Sequence, residues 1–372
     1  MSHSNFRKKI EQLFSSADIK IGGDRPWDIQ VHNDDFYARL LAKGSLGLGE
    51  SYIDGWWDCD RLDKFFHMIL RAKLNTRIKT RTEFFEVLKS KLLNLQKPSR
   101  AFQIGPRHYD IGNNLYKHML GEWLIYSCGY WKNASTLDEA QEAKLDLVCR
   151  KLGLRKGMRV LDIGCGWGGA AKFAAERYKV EVVGSTVSKE QLRFGKEFCQ
   201  GLPVEICLQD YRSLKGTFDR IFSLGMFEHV GYKNYVTFFR VVNSCLKENG
   251  LFLLHTIGNN RSVTRNDPWI NRYIFPNSII PSAKQICANI EGLFVLEDWH
   301  NFGADYDKTL MHWFWNFHEN WDAIKKDYGE SFYRMWKYYL LSCAGSFRAR
   351  ENQLWQIVLS ANGVPGVYKS IR

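Results

Sequence analysis

The stretch VLDIGCGWGG, residues 160–169, constrains the fold of this chain more than any other part of the sequence. An apolar run ends at Ile163, a glycine-rich turn follows, and a helical pattern starts near Gly168. Such a turn needs glycine because the backbone bends sharply and approaches a ligand closely, and Cβ atoms would obstruct both. The glycines at the spacing GxGxxG, a pattern found at dinucleotide-binding turns, are Gly164, Gly166 and Gly169. The stretch predicts a strand, a ligand-binding turn and a helix.

The region around this turn alternates between strand and helix patterns. Short apolar runs read MRVLDIG, VEVVGSTVS, VEICLQD, DRIFSLGMF and GLFLLHTIG, and the helical segments GGAAKFAAERY and KEQLRFGKEFCQ separate the first three. Alternation at these lengths predicts a parallel sheet with helices on both faces. The tail from residue 308 onward has a helical and aromatic pattern, and we expect it to cap the site.

Two features distinguish the turn from an NAD site. Asp162 lies two residues before the first glycine, where a carboxylate can orient the loop or meet an ammonium group. The second strand ends in GSTVS, without the acidic residue that usually binds the ribose of NAD. The pattern Asp-x-Gly-x-Gly resembles the class I S-adenosylmethionine-dependent methyltransferases, which implies an α/β, Rossmann-like catalytic domain. A tight turn without any ligand is the alternative.

Polar residues after the next two strands are candidate contacts of S-adenosylmethionine. Thr186 and Gln191 are placed to serve the ribose or methionine end. The third strand ends where such folds bind adenine, and its candidates are Gln209, Asp210 and Tyr211. For each single residue, capping of a loop is the alternative.

Residues 1–98 form a predicted smaller α+β domain, and residues 99–372 the catalytic domain. Alternation in WDIQVHND predicts a short strand, and the apolar spacing through residues 65–70 predicts a helix. Residues 71–100 contain nine Lys or Arg and two Glu, a net charge of +7. A basic amphipathic helix of this kind can lie on an anionic bilayer or be an ordinary surface helix, and QKPSR reads as a linker.

Composition narrows the cellular setting and the type of partner. The formal net charge of +12 favours an anionic partner: a nucleic acid, an acidic membrane surface or an acidic metabolite. There is no apolar run of eighteen residues and no secretory signal at the N-terminus, which reads MSHSNFRKKIEQLF. The nine cysteines are scattered without CxxC pairs, which favours reduced thiols in a cytoplasm over a zinc site or disulfides. Aromatic residues make up 15% of the chain, which suggests a large apolar site.

A nucleic-acid methylase is disfavoured by the segment after the fourth strand. Enzymes that methylate an exocyclic amine usually have an Asn/Asp-Pro-Pro-aromatic motif there, whereas this chain has GMFEHVG. The later NDPW, residues 266–269, is in the wrong position and is predicted to be a turn. No segment interleaves basic and aromatic residues as a nucleic-acid groove would.

Five motifs together resemble the cyclopropane-fatty-acyl-phospholipid synthases. In order, they are YSCGYW, VLDIGCGWGG, MFEHVG, LLHTIG and FGADYD. The mycolic acid cyclopropane synthases are more distant relatives that lack most of the first domain, and GSLGLGESYIDGWWDCDRLD resembles the bacterial phospholipid enzymes. The resemblance implies transfer of a methylene group from S-adenosylmethionine to a cis double bond of a phospholipid acyl chain. The reaction would pass through a carbocation, with bound bicarbonate as the base.

The resemblance also implies a set of bicarbonate ligands. The side chains are those of Cys128, Glu228, His255 and Tyr306, with the backbone N–H of Ile257. His and Tyr donate hydrogen bonds, a thiol donates weakly, and a glutamate accepts one, so the set suits an anion that carries an O–H group. The residues alone leave Glu228, His229 and His255 open as the base, and each also has an ordinary structural alternative.

Further roles follow from the same resemblance. Tyr126 and Ser127 are expected at the methionine carboxylate, and Tyr130 and Trp131 in the apolar wall. Cys343 is a candidate catalytic residue because the family has been regarded as having an active-site cysteine there, although the chemistry needs no thiol nucleophile. A buried helix residue is the alternative for Cys343. Residues expected to order a lid are His108, Tyr109, Asp110 and Asn113, and residues expected to meet a phosphate or carboxylate are Arg348 and Arg350.

The leading hypothesis is thus a cytoplasmic enzyme, a homodimer, bound peripherally to the inner face of the cytoplasmic membrane. Its partners would be unsaturated phospholipids and the anionic bilayer surface, and no metal is expected. One alternative is a small-molecule N- or C-methyltransferase with the same glycine loop. Another is a protein that binds lipid surfaces on an inactive methyltransferase scaffold.

Overall fold

The computed structural model describes residues 3–76 and 112–372, which form two compact units. Unit 1 comprises residues 3–76, 265–276 and 306–352. Unit 2 comprises residues 112–264, 277–305 and 353–372. The predicted domain boundary between residues 98 and 99 lies outside the described residues and stays a prediction.

The helices and strands are numbered here in chain order. The helices are α1 His3–Ser15, α2 Asp35–Lys43, α3 Ser45–Ile53, α4 Leu62–Arg71, α5 Asn113–Leu120, α6 Leu137–Lys151, α7 Gly169–Tyr178, α8 Lys189–Phe198, α9 Tyr235–Cys245, α10 Pro268–Tyr273, α11 Ala283–Ile290, α12 Ala304–Glu319, α13 Trp321–Ile324 and α14 Glu330–Arg348. The strands are β1 Gln30–Val31, β2 Trp57–Asp58, β3 Arg159–Ile163, β4 Glu181–Thr186, β5 Val204–Leu208, β6 Phe218–Leu224, β7 Leu246–Asn259, β8 Val295–Asn301 and β9 Asn352–Ser360.

Unit 1 packs helices around an aromatic core beside a two-stranded antiparallel sheet, β1–β2. Trp57 is fully buried, and its ring lies 5.3 Å from that of Phe65 and 5.0 Å from that of Tyr52. Tyr338 of α14 adds a ring 5.1 Å from Phe66 of α4. The predicted strand near residue 30 and the predicted helix at residues 65–70 are thus both present.

A buried carboxylate joins α4 to α14 within unit 1. Asp63 is 1% exposed and accepts hydrogen bonds from Arg61 at 2.8 Å and from Arg348 at 2.6 Å. Arg348 also makes a two-point contact with Asp307, at 2.8 Å for each bond. Burial raises the pKa of Asp63, but the hydrogen bonds from Arg61 and Arg348 outweigh it and lower that pKa to about 2. Arg348 was predicted to meet a phosphate or a carboxylate on a neighbouring element, and in the structure it contacts two carboxylates, those of Asp63 and Asp307.

Unit 2 contains a seven-stranded sheet in the order β5-β4-β3-β6-β7-β9-β8. Neighbours from β5 to β7 are parallel, and β8 pairs with β9 antiparallel. The predicted parallel sheet and its strand–helix alternation are confirmed for β3 to β7, and the antiparallel pair β8–β9 makes the whole sheet mixed. The prediction that the tail is helical is wrong for β9, which lies inside this sheet. Its apolar residues at 354, 355, 357, 358 and 359 are buried because apolar clusters pack on both faces of the sheet.

The two faces of β3 bury different side chains. Leu161 and Ile163 belong to one apolar cluster, which includes residues of α9. Val160 belongs to the other cluster, with Leu145 and Val148 of α6. Because side chains alternate along a strand, Asp162 shares a face with Val160 and is directed toward the side of α6.

The NDPW segment, residues 266–269, was predicted to be a turn. The NDPW segment begins helix α10: the Asp267 carboxylate accepts hydrogen bonds from the backbone N–H groups of Trp269 and Ile270, and Pro268 occupies the first turn. The predicted turn was therefore wrong, because aspartate followed by proline is also a helix-start signal.

Among residues 3–76 and 112–372, none of the helices combines the length and the apolar character that a membrane span requires.

Candidate active site

The glycine turn follows β3 at the carboxyl end of the parallel strands. Gly164 and Gly166 have φ angles of 84° and 56°, a region that side chains rarely adopt. A Cβ on Gly166 would meet no described atom within 4 Å, so open space lies beside this backbone. Asp162 is 1% exposed, and its Oδ2 atom has no hydrogen-bond partner among the described residues. A buried acceptor beside an open glycine turn fits the donor site predicted for S-adenosylmethionine.

Thr186 and Gln191 lie together at the end of β4. The Thr186 hydroxyl donates to Oε1 of Gln191 at 2.8 Å, and both side chains are buried. Ser188 caps the intervening turn by accepting from the N–H of Gln191 at 3.3 Å. The sequence thus placed both residues at one strand end, and their contact with a donor stays a prediction.

The residues after β5 are more strongly engaged in local contacts. Asp210 accepts from the backbone N–H of Arg212 and pairs with its guanidinium, each at 2.9 Å. Gln209 donates its amide to the carbonyl of Ser213 at 2.6 Å. The Tyr211 hydroxyl has no partner among the described residues, and burial raises its pKa to about 12. Gln209 and Asp210 therefore cap the loop, which was the alternative to a contact with S-adenosylmethionine, whereas the Tyr211 hydroxyl makes no hydrogen bond within the described residues.

The YSC stretch, residues 126–128, is held against α6. Gln141 donates to the Ser127 carbonyl at 2.8 Å, and the Lys144 ammonium donates to the Ser127 hydroxyl at 3.0 Å. A Cβ on Gly225, just after β6, would lie 3.4 Å from the Cβ of Ser127. These contacts fix Ser127 beside the end of β6, and its predicted contact with the methionine carboxylate stays a prediction.

Aromatic rings surround the same stretch. The Tyr126 ring lies 5.4 Å from that of Tyr116, which in turn lies 4.7 Å from the ring of Trp167 in the glycine turn. Trp167 donates its indole N–H to Asn113 at 3.0 Å. Of the predicted lid residues, Asn113 therefore contacts the turn, while His108, Tyr109 and Asp110 lie outside the described residues.

Glu228 lies in a short turn after β6. Its Oε1 accepts from the backbone N–H of Ile257 at 2.7 Å, and its Oε2 has no partner within the described part of the chain. Burial raises the pKa of Glu228 to about 6, against the hydrogen bond from Ile257, which lowers it. The N–H predicted to bind bicarbonate is thus occupied by Glu228 in this structure.

His255 is fully buried on β7, next in the sheet to β9. Its Nδ1 lies 3.3 Å from Nε2 of Gln356, and its Nε2 has no partner in the residues described. If the Gln356 amide donates to Nδ1, the ring proton is on Nε2, which is then a free donor. Burial lowers the pKa of His255 well below its usual value, with Lys144 and Lys151 acting in the same direction, so the ring is neutral.

Cys128 and its neighbours complete the unit 2 part of the predicted set. The Cys128 thiol is fully buried and donates to the carbonyl of Gly129 at 3.1 Å. The Tyr130 ring packs edge-on against Phe302 at 5.3 Å, and the backbone N–H of Trp131 donates to Asp305 at 2.7 Å. Tyr130 and Trp131 are both buried, consistent with walls of an apolar site.

The remaining candidates belong to unit 1. The Tyr306 ring stacks on Phe347 at 4.4 Å and meets Trp313 edge-on at 6.0 Å. Cys343 lies on α14, where burial and the nearby Asp267 carboxylate raise the pKa of its thiol to about 12. A thiol with such a pKa stays protonated, which does not favour a nucleophile. The catalytic roles of Tyr306 and Cys343 stay predictions.

Three residues of this region were missed by the sequence reasoning: Gln141, Lys144 and Gln356. All three are fully buried polar side chains, and each contacts a residue that was predicted. The sequence of α6 did not mark them. Residues 141, 144, 148 and 151 share one helix face, and three of the four are polar, a pattern typical of an exposed face, yet this face is buried.

The arrangement brings the glycine turn and polar atoms of Asp162, Glu228 and His255 to the carboxyl end of the parallel strands, and these atoms have no partner among the described residues. Residues 96–357 match the family described as mycolic acid cyclopropane synthetase. The chain belongs to this family. The predicted family and enzyme class, an S-adenosylmethionine-dependent methyltransferase, are confirmed by this match and by the relatives that follow.

The curated relatives include the cyclopropane-fatty-acyl-phospholipid synthase of Escherichia coli (strain K12), which is 54% identical over 357 residues. That match covers 96% of this chain and 94% of the relative. Cyclopropane mycolic acid synthase 2 of Mycobacterium leprae is 33% identical and matches 71% of this chain and 94% of its own length.

Solved structures agree with the fold. The cyclopropane synthase MmaA2 from Mycobacterium tuberculosis aligns with a TM-score of 0.66 and 30% identity, covering 72% of this chain and 99% of its own. The mycolic acid cyclopropane synthase CmaA1, complexed with SAH and CTAB, aligns with a TM-score of 0.65 and 31% identity, over 69% of this chain and 97% of its own. The predicted class I methyltransferase fold is confirmed.

Proposed function

We propose that this protein is a cyclopropane fatty acid synthase that acts on cis double bonds of phospholipid acyl chains. The observation that carries the proposal is the 54% identity to the Escherichia coli synthase over 96% of this chain. Coverage of that extent includes most of the residues before 96, which the family model does not match, whereas cyclopropane mycolic acid synthase 2 matches 71% of the chain. Phospholipid rather than mycolate is therefore the favoured substrate class.

S-adenosylmethionine, when bound, would supply an electrophilic methyl group to the double bond. Asp162, Gly164 and Gly166 would hold the donor at the glycine turn, with Tyr126 and Ser127 at its carboxylate. Contacts on the adenosine side are assigned to Thr186, Gln191, Gln209, Asp210 and Tyr211. The buried, unpartnered Oδ2 of Asp162 supports a polar ligand at this position.

Methyl transfer to an alkene leaves a positive charge on the acyl chain. The new methyl group must then lose a proton, so that the C–H electron pair closes the three-membered ring. Aromatic faces can stabilise such a cation by about 0.5–2 kcal/mol each, depending on desolvation. Buried rings near the predicted ligands, such as those of Tyr130 and Phe302, provide such surfaces.

Glu228 and His255 are proposed to orient a base rather than to act alone. A bicarbonate ion held between them would accept the proton, with a typical contribution of about 10²–10⁴-fold from a well-placed base. Glu228 Oε2 and His255 Nε2 offer one acceptor and one donor for such an anion, and both atoms lack partners among the described residues. Cys128 would add a weak donor from unit 2. The Ile257 N–H, which donates to Glu228 in this structure, and Tyr306 are kept as predictions from the resemblance.

Bilayer binding and dimer formation are further parts of the proposal. The net charge of +12 favours an anionic surface, and residues 71–100 carry a net +7. We expect the enzyme to work from the cytoplasm at the inner face of the membrane. Replacing Lys89 and Lys91 by Gln should weaken binding to anionic vesicles, and unchanged binding in a sedimentation assay would contradict that role.

The test of function is incubation with unsaturated phospholipid vesicles and labelled S-adenosylmethionine, followed by analysis of the acyl chains. A synthase adds one CH2 to the chain and removes the alkene. A label on an amine, with the alkene intact, would support a small-molecule methyltransferase instead. A protein that binds vesicles but no S-adenosylmethionine would be the inactive scaffold.

A further inference from the structure

Lys144 is a fully buried lysine near the centre of unit 2. Its side chain has no carboxylate within 4.0 Å among the described residues, and its ammonium donates a hydrogen bond of 3.0 Å to the Ser127 hydroxyl. An ammonium group has three N–H donors and is costly to bury unless it is paired. A structural lysine would usually have a closer counter-charge.

Lys151, the other buried lysine of α6, has such a counter-charge. Its ammonium lies 3.5 Å from the Asp298 carboxylate and 3.2 Å from Nδ1 of His300. Asp298 is also held by Arg372, so this network is satisfied by the protein itself. Lys144 and Lys151 are therefore similarly buried lysines on one helix, and only Lys151 is within ion-pair distance of a carboxylate in the described residues.

The chemistry of the Lys144–Ser127 bond fixes the direction of a proton. Lys144 Nζ is the donor in this hydrogen bond, and the Ser127 oxygen accepts. The Ser127 hydroxyl proton is then directed elsewhere, and it can be donated to a bound acceptor. Gln141 fixes the Ser127 backbone at 2.8 Å, so the hydroxyl is held in place from two sides.

We propose that Lys144 is a positioning residue of the donor site: it holds the Ser127 hydroxyl as a donor to the carboxylate of S-adenosylmethionine and supplies positive charge to that end of the ligand. The proposal deepens the proposed function and rests on it for the identity of the ligand. Asp162, a buried carboxyl group on the face of β3 that is directed toward α6, interacts electrostatically with Lys144. Burial raises the pKa of Asp162 to about 8 and lowers that of Lys144 to about 7. A ligand carboxylate beside Lys144 would favour its charged form, and a ligand ammonium beside Asp162 would favour the ionised carboxylate.

The test compares two ligands by calorimetry in neutral buffer. S-adenosylhomocysteine has the amino-acid end, whereas 5′-methylthioadenosine shares its adenosine and thioether but lacks the carboxylate and ammonium. In Lys144→Met protein, we expect affinity for S-adenosylhomocysteine to fall by about 10–100-fold, as for loss of a charged hydrogen bond. Affinity for 5′-methylthioadenosine should stay close to that of the wild type.

The matched control is Lys151→Met, which removes a similarly buried lysine from the same helix. It should lower the melting temperature but leave the ratio of the two affinities unchanged. If Lys144→Met weakens both ligands equally, or neither, the proposal is overturned and Lys144 is a purely structural residue.

Two further variants keep the proposal testable if Lys144→Met does not fold. Lys144→Gln keeps a donor to Ser127 without the charge and should give an intermediate affinity ratio. Ser127→Ala alters no buried charge and should lower the ratio of the affinities for S-adenosylhomocysteine and 5′-methylthioadenosine to the same extent. The effects of Ser127→Ala and Lys144→Gln on this ratio should not add, because one residue acts through the other. Additive effects of the two substitutions, or an affinity ratio in Ser127→Ala equal to that of the wild type, would overturn the proposal.

The binding assay separates this proposal from the proposed function. If the wild type binds S-adenosylhomocysteine with the expected Lys144 dependence but forms no cyclopropane, the assigned reaction fails and the assignment of Lys144 stands. If cyclopropane forms and the Lys144 variants bind both ligands as the wild type does, the assigned reaction stands and the positioning role of Lys144 is wrong.

Discussion

Asp63 in unit 1 and Glu228 in unit 2 are both buried carboxylates, but their pKa values are shifted in opposite directions. Asp63 is held by two arginines, and its pKa falls to about 2. Glu228 accepts one backbone N–H through Oε1, its Oε2 has no partner among the described residues, and its pKa rises to about 6. Asp63 is satisfied by the protein, whereas Glu228 is only half satisfied.

The difference separates charges that stabilise the fold from charges kept for a ligand. A buried polar atom without a partner costs about 1–3 kcal/mol, so several such atoms together need an explanation. In unit 2 they gather at the strand ends, on Asp162, Glu228 and His255. We interpret these atoms as the groups that S-adenosylmethionine and bicarbonate would satisfy.

The largest expected effect is on activity, in Glu228→Gln. The variant keeps an acceptor for Ile257 but loses the charge that orients the base, so cyclopropane formation should fall by about 10²–10⁴-fold. The free energy of unfolding should not fall, because a buried carboxylate with a raised pKa is removed. The measurements are product formation per folded enzyme and a urea unfolding curve; loss of stability together with activity would place Glu228 among the structural charges.

Asp63→Asn should behave in the opposite way. The variant loses the charge that Arg61 and Arg348 contact, while Arg348 keeps Asp307. The free energy of unfolding should therefore fall by about 2 kcal/mol, which corresponds to the lowering of the Asp63 pKa from 3.8 to about 2. Turnover per folded molecule should stay near that of the wild type. A variant of wild-type stability would show that Asp63 and Glu228 do not differ as described.

The pH dependence of stability should also have opposite signs for the two residues. The folded pKa of Asp63 is lowered from 3.8 to about 2, so its contribution of about 2 kcal/mol is present above pH 4 and lost as pH falls toward 2. The folded pKa of Glu228 is raised from 4.5 to about 6, so it costs nothing below pH 4.5 and about 2 kcal/mol above pH 6. Unfolding curves of the wild type minus each variant, recorded across this pH range, should slope in opposite directions for Asp63→Asn and Glu228→Gln; equal slopes would refute the assignment.

The smallest effect is expected for Cys128→Ser. The Cys128 thiol donates a weak hydrogen bond, and a hydroxyl can donate in its place, so activity should fall by less than about tenfold. Steady-state turnover on vesicles measures this. Complete loss, at the level of a missing covalent nucleophile, would show that Cys128 has a role other than that of a hydrogen-bond donor.

Local patterns predicted unit 2 well because strands and helices alternate in chain order there. The turn at residues 160–169 and the strand ends with Glu228 and His255 could be placed from periodicity and motifs alone. The position of β9 inside the sheet could not, since it depends on pairing between segments far apart in the sequence. For the same reason, nothing in the sequence indicated that residues 265–276 and 306–352 form one unit with residues 3–76.

The positioning residues were harder to predict than the candidate ligands. Lys144 and Gln356 belong to no motif quoted above, and a lysine or glutamine at an apolar helix or strand position can equally be at the surface. Only the three-dimensional contacts with Ser127 and His255 reveal their surroundings. Sequence patterns therefore identify groups that carry chemistry more readily than the groups that orient them.

The most direct test of the central claim is mass analysis of acyl chains after incubation of the wild type and Glu228→Gln with unsaturated phospholipid vesicles and S-adenosylmethionine. The account predicts that the wild type adds one CH2 and removes the alkene. It predicts that the equally folded variant forms little product. Unchanged alkenes with the wild type, or equal cyclopropane formation by the variant, would contradict it.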